Sequence, residues 1–241
     1  QLYFPQVAVF GGFETSLGVV NNSSSAVVLD IRFFDPSGVL VADATAPLNP
    51  GSILVEDLAA LLSLTGTDLL QGWLKVESTL PAITGFLTYA IPDSGSAATV
   101  TPASLGLSEV IFSHLATGEG FFTGVAMLNP GQLAANVRIM AMEETGSAVI
   151  LGSTNTLLRP GERISKLITE LAVDAGDKVK GFIFFRSNLP IYSSSLFGSA
   201  TVLANIPPQL SPESFAPDAG LDPVTVTPPL AILQPSTTQS F

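Results

Sequence analysis

The chain has 241 residues, of which 46% are hydrophobic and only 12% charged, and its nine Lys and Arg stand against twenty Asp and Glu for a formal net charge of −11. So few cations leave no basic footprint for nucleic acid or for an anionic lipid surface. No run of about 18 apolar residues offers a transmembrane helix, and the lack of Cys removes disulfides, thiolate catalysis and Cys-based zinc sites.

Read from the N-terminus, which is Gln1 and fits a form from which a signal peptide has been removed, the chain is punctuated by turn chemistry. Strand-like runs end at Asn21-Asn22-Ser23, Asp35-Pro36-Ser37-Gly38 and Asn49-Pro50-Gly51, residues that supply turn dihedrals β-branched residues resist. Between them Val27, Leu29, Ile31 and Phe33 alternate with Val28, Asp30 and Arg32, the period of a strand with one buried face. The run Leu54–Leu62 changes period: Leu54, Leu58, Leu61 and Leu62 have helical spacing, which predicts a short helical crossover. Gly72-Trp73 and Ser78-Thr79-Leu80-Pro81 follow.

The same series then recurs. At an offset of 108, Gly12-Phe13, Thr15, Asn21, Ile31 and Gly38 face Gly120-Phe121, Thr123, Asn129, Ile139 and Gly146. At 110, Leu48-Asn49-Pro50-Gly51 faces Leu158-Arg159-Pro160-Gly161, and at 109, Gly72-Trp73 and Ser78–Pro81 face Gly181-Phe182 and Ser187–Pro190. The turns Asn129-Pro130-Gly131 and Glu144-Thr145-Gly146 and the helical run Ile164–Leu171 complete the second copy. A period this long is too long for a solenoid unit and matches a whole β-sandwich. The expected fold is therefore all-β: two tandem antiparallel sandwiches, residues 1–103 and 108–206, each with a helical crossover, joined at Thr101-Pro102-Ala103-Ser104.

The Asn-Pro-Gly turn after an apolar strand, the later Pro-Gly, the helical crossover and the Ser-x-Leu-Pro before a last strand carry a resemblance. Each copy resembles a β-sandwich unit of uncharacterised exported bacterial proteins and, in fold only, is similar to the soluble transducer family of microbial sensory rhodopsins. The resemblance implies a fold and no functional residue; the tandem arrangement and the tail depart from the transducer pattern.

Residues 207–241 change character, with eight Pro, with Glu213, Asp218 and Asp222, and with no Lys or Arg. Inside this tail, over 222–233, Val224, Val226, Pro228, Leu230 and Ile232 alternate with Thr225, Thr227, Pro229 and Ala231, a strand pattern with one apolar face. Its prolines fit an edge or groove-filling strand rather than a central one. These five residues are the expected subunit contact, docking on a neighbouring subunit; packing back on the chain's own sandwiches is the alternative. The first copy carries a charge of −7, the second −1 and the tail −3, and unlike ends suit heterologous contacts.

The search for chemistry yields little. His114, the sole His, lies at the position of Gln6 in the first copy and has no Gly-x-Ser-x-Gly elbow to serve. Glu56-Asp57, Glu143-Glu144 and Asp174 with Asp177 are acidic pairs best read as solvated turns, with a calcium loop as the alternative reading of Asp174-Ala175-Gly176-Asp177. Trp73 with Phe182 at its repeat position reads as core, and Tyr3, Tyr89 and Tyr192 are scattered, so no sugar platform is evident. Asn21-Asn22-Ser23-Ser24 holds two overlapping glycosylation sequons in a turn. No catalytic residue, metal site or cofactor is expected. The leading expectation is a secreted or cell-surface structural subunit that forms a homo-oligomer or polymer. The alternative is a monomeric exported module for adhesion to, or binding of, a glycan or protein.

Overall fold

The computed structural model describes residues 1–103, 105–143, 150–171 and 179–210. Ser104, Glu144-Thr145-Gly146, Asp174, Asp177 and the tail residues Val224, Val226, Pro228, Leu230 and Ile232 lie outside the described residues.

The first half places β1 (Leu2–Val9), β2 (Glu14–Asn21), β3 (Val27–Phe34), β4 (Leu40–Leu48), β5 (Ile53–Asp57), α1 (Leu58–Leu61), β6 (Leu70–Ser78), β7 (Ile83–Ile91) and β8 (Ser96–Val100). They form two antiparallel sheets, ordered β1-β6-β3-β4 and β5-β2-β7-β8. The period-two reading of β3 holds: Val27, Leu29, Ile31 and Phe33 are buried while Val28 is exposed. These side chains meet Leu17, Val19 and Leu87 of the facing sheet, with Leu58 and Leu62 closing one end. Each such burial contributes about 1.5–3 kcal/mol, which fixes the inward face and hence the register.

The second half repeats this architecture with β9 (Leu107–Thr117), β10 (Phe122–Leu128), β11 (Ala135–Glu143), β12 (Ile150–Leu158), β13 (Arg163–Leu167), α2 (Ile168–Leu171), β14 (Val179–Gly198), β15 (Leu203–Ile206) and β16 (Gln209–Leu210). Its layers are β12-β11-β14-β9 with β16 at the edge, and β13-β10-β14-β15. The long β14 serves both: its first part pairs with β11 and β9, its last with β10 and β15. In the first half the same path is split into β6 and β7.

Ladder registers coincide between the halves. Phe34 stands opposite Trp73 as Met142 does opposite Phe182; Leu17 stands opposite Glu56 as Val125 does opposite Lys166. The repeated residues have physical reasons. Asn21 and Asn129 are both buried, and each Nδ2 donates to the carbonyl at the end of the neighbouring strand, Leu48 at 3.1 Å and Leu158 at 3.0 Å. Their Oδ1 atoms accept from the amides of Ser23 and Gly131, closing the turns. In Ser-x-Leu-Pro, Ser78 and Ser187 each accept from the amide two residues on.

Each half has its short helical crossover, within narrower bounds than the apolar spacing suggests. Residues Ile53–Asp57 and Arg163–Leu167 are strands, held by ladders to β2 and β10, and only Leu58–Leu61 and Ile168–Leu171 are helical. Ladder pairing overrides local spacing here, and Asp57 marks the switch by accepting the Ala60 amide at 2.8 Å. Trp73 is buried, as expected, but in a separate cluster at the junction rather than inside the first sandwich. Leu74 points into the sandwich, so Trp73 on the same strand points out, and it is buried by the second half.

Candidate functional site

The most built feature of the molecule is the junction between its sandwiches, and it begins with a bulge. Between Phe4 and Val7 strand β1 carries one more residue than its partner β6, at Pro5-Gln6, where a proline in a strand is best tolerated. The bulge frees two carbonyls. That of Gln6 accepts the Tyr89 hydroxyl, and that of Pro5 accepts Arg163 Nε from the second sandwich at 3.1 Å. Arg163 also donates to Gln6 Oε1, and its amide donates to the Pro36 carbonyl at 2.9 Å.

Arg163 is 4% exposed, and its described partners are amide and carbonyl oxygens rather than a carboxylate. Burial therefore pulls its guanidinium down to about 10 and drives the Tyr89 hydroxyl well above the ordinary phenol range. A buried cation held by such contacts locks orientation, because removing it strands the oxygens that receive it.

Beside it the outer face of β1, β6 and β3 presents Tyr3, Trp73 and Phe34. Phe34 stacks on Trp73 at 4.0 Å between ring centroids, and Tyr3 packs on Tyr192 of the second sandwich at 4.4 Å. Leu128 completes the cluster, and Trp73 Nε1 donates to the Gly161 carbonyl at 3.1 Å. Burial, with Tyr192 and Glu77 nearby, pushes the Tyr3 hydroxyl up to about 12. The turn carrying Gly161 lies against Gly38. Both have left-handed φ, +76° and +91°, and a Cβ on Gly38 would come within 2.7 Å of the Gly161 carbonyl oxygen. Glycine is required on the first of these turns because another backbone occupies the space.

A cavity of about 260 Å³ remains between the halves, lined by Phe13, Tyr89 and Ile91 on one side and Phe122, Val125 and Leu203 on the other. Its polar groups are amides and hydroxyls such as Gln6, Gln71, Ser165 and Ser194. It can hold a small apolar body, and its described lining residues include no nucleophile with a base beside it.

His114 sits on a second bulge, between β9 and β14 at the level of Gly181 and Ile183, the counterpart of Gln6, and meets the edge of Phe197 at 4.5 Å. Glu56 and Asp57 are exposed, Asp57 serving as a helix cap. Glu143 ends β11, and its neighbour Glu144 is outside the described residues. Among the described residues no group of three or more His, Asp or Glu could hold a metal ion, and no helix is long and apolar enough to cross a membrane. Of the two sequon asparagines, Asn21 is buried with its Nδ2 fully engaged, which leaves Asn22 as the exposed one. Tyr3 and Tyr192, scattered in sequence, are brought together; Arg163, Pro5 and Gln6 were missed. A proline inside a strand-like run was the available signal for the bulge.

Fold and junction together define a tandem β-sandwich protein whose two units are locked by a buried aromatic and arginine contact. No protein-family model matches the chain, and no curated protein matches it.

Proposed function

We propose that this chain is a non-enzymatic structural subunit of an extracellular filament or surface assembly, a homopolymer joined through apolar sandwich contacts and through its C-terminal strand, residues 222–233, docking on a neighbouring subunit. One observation carries the reading: the junction inside the chain is heterologous. The outer face of the first sandwich (Tyr3, Phe34, Trp73) receives a different surface of the second (Leu128, Tyr192, the Gly161 turn). A contact of that kind does not satisfy itself, and repeated between subunits it builds open chains. The positions that receive in the first sandwich are filled by Ile111, Met142 and Phe182 in the second, apolar again. Exposed Ile53 and Val55 on the edge strand β5, and Val41 on the edge strand β4, add apolar surface of the sort that marks interfaces.

The test is negative-stain microscopy with light scattering on the full chain and on a form ending at Leu210. Filaments or large particles that disappear on truncation are the expected result; assembly that is indifferent to truncation contradicts the docking role of the tail.

A second reading has its own support. The 260 Å³ cavity and the pairing of Gln209-Leu210 on the chain's own β9 suit a monomeric exported binding module strapped by its tail. A monodisperse 25 kDa particle whose melting shifts with a glycan or protein ligand would favour it.

A further inference from the structure

The outer face of the β11-β14-β9 layer in the second sandwich is unlike an ordinary solvent face. Met140, Met142 and Phe184 point away from the sandwich core, since Ile139, Ala141, Ile183 and Phe185 on the same strands point into it. They are nonetheless 1%, 0% and 0% exposed. With the half-buried Ile111 and Phe182 they form a separate apolar cluster whose described members come from β9, β11 and β14, a single layer. A single layer does not bury its own outer face; a second layer must lie on it.

The repeat shows what stands in that place. In the first sandwich the chain leaves β8 and pairs with β1 at Tyr3, through Ala103 N to Tyr3 O at 2.8 Å and Tyr3 N to Ala103 O at 3.2 Å. It then continues into the second sandwich, which covers Tyr3, Phe34 and Trp73. In the second sandwich the chain leaves β15 and pairs with β9 at Ile111, the counterpart of Tyr3, through Gln209. What continues from there is the segment 211–241.

We infer that the outer face of β11, β14 and β9 is the acceptor for the C-terminal segment 211–241. The segment stands where a third sandwich would begin and lays its apolar row, Val224 to Ile232, over Met140, Met142 and Phe184. Reach is ample: β11 lies three strand spacings from β16, about 15 Å, and Val224 is far enough beyond Leu210 to span roughly 45 Å when extended. Charge agrees. Arg138 stands directly across from Arg186 on this face, with Glu109 paired to Arg186 at 2.9 Å. The segment brings Glu213, Asp218 and Asp222 and no cation. The proposed joining role enters only in which copy supplies the segment: its own in an isolated molecule, a neighbour's in an assembly, an exchange of one element between identical chains.

The three methionines provide the test. Met127 is buried inside the sandwich, and Met140 and Met142 lie on the acceptor face. Dilute hydrogen peroxide converts accessible methionine to sulfoxide, and peptide mass spectrometry reads each site. In the full chain all three are expected to oxidise slowly. In full-length Val226→Asp/Leu230→Asp, Met140 and Met142 are expected to oxidise at least tenfold faster while Met127, reporting that the sandwich remains folded, does not change. Equal protection in both proteins overturns the inference, as does rapid oxidation of Met140 and Met142 in the unaltered chain. Repeating the measurement across a dilution series separates the two questions. Protection that fades as light scattering falls means a neighbour supplies the segment. Protection that persists in monomers keeps the acceptor and defeats the docking on neighbours.

Discussion

Three cross-strand rows on the outer faces of the two equivalent sheets match one for one in register and differ in chemistry. In the first sandwich they are Asp30 with Glu77, Arg32 with Lys75, and Phe34 with Trp73; in the second they are Arg138 with Arg186, Met140 with Phe184, and Met142 with Phe182. The first face is charged except for one row, and that row is what the adjoining sandwich covers. Its charges satisfy one another, Lys75 with Glu77 at 2.8 Å and Arg32 with Asp30. The second face is apolar over two rows and basic in the third. Inward residues and turns fix the ladder, so they stay alike; outward residues are free of that duty, so they record what each face meets.

The comparison is broken most strongly at Trp73. Trp73→Ala removes a buried aromatic and its bond to Gly161 and is expected to lose about 3–5 kcal/mol in a denaturant titration followed by circular dichroism. Phe182→Ala, at the same register position but only half-buried, is expected to lose clearly less. Equal losses would mean the two faces are covered alike. Next come the glycine turns. Gly38 and Gly51 both hold left-handed φ, but a Cβ on Gly51 meets nothing within 4 Å. Both alanine variants bear roughly 1–2 kcal/mol of left-handed strain, and Gly38→Ala is expected to add about 1–3 kcal/mol for the collision with Gly161; matching melting curves would contradict the docked turn. Arg163→Met is expected to lose about 1–3 kcal/mol by stranding the Pro5 and Gln6 oxygens. Arg163→Lys should not recover it, because one ammonium cannot reproduce the fork.

The smallest expected effect is pH dependence. The folded-state pKa of Tyr3 is raised to about 12 from an unfolded value near 10. The native state then holds a proton the unfolded chain has lost. The resulting stability is complete below about pH 10 and is lost as pH rises toward 12. Melting temperatures recorded from pH 8 to 11.5 should fall less steeply for Tyr3→Phe, which keeps the ring on Tyr192; identical slopes would remove Tyr3 from the account.

Much of the fold was legible because its causes are local. Alternation in β3 gave the buried face, and Asn21 with Asn129 gave turns whose side chains close the strand ends. The junction was not legible. A period of two says which residues share a face, and nothing about whether a second sandwich covers it, so Trp73 looked like core and Tyr3 and Tyr192 looked unrelated. Arg163 occupies an ordinary post-turn position; its burial depends on carbonyls that only the Pro5-Gln6 bulge makes available. The crossover helices were over-extended for a similar reason, since the ladders of β5 and β13 are tertiary facts. The acceptor face was not read from the sequence, although Met140 and Met142 carry the apolar run of β11 onto its outer side, a pattern that suits a strand covered on both faces.

The central claim is a joint with polarity, one end supplying a segment and the other a face. It is tested most directly by blocking each end separately. Val226→Asp/Leu230→Asp spoils the segment, and Ile111→Glu/Phe182→Glu spoils the face. In analytical ultracentrifugation the unaltered chain is expected to polymerise, each variant alone to remain monomeric, and an equimolar mixture to give a dimer and nothing larger. Polymers from either variant alone, or a mixture that stays monomeric, would contradict the account.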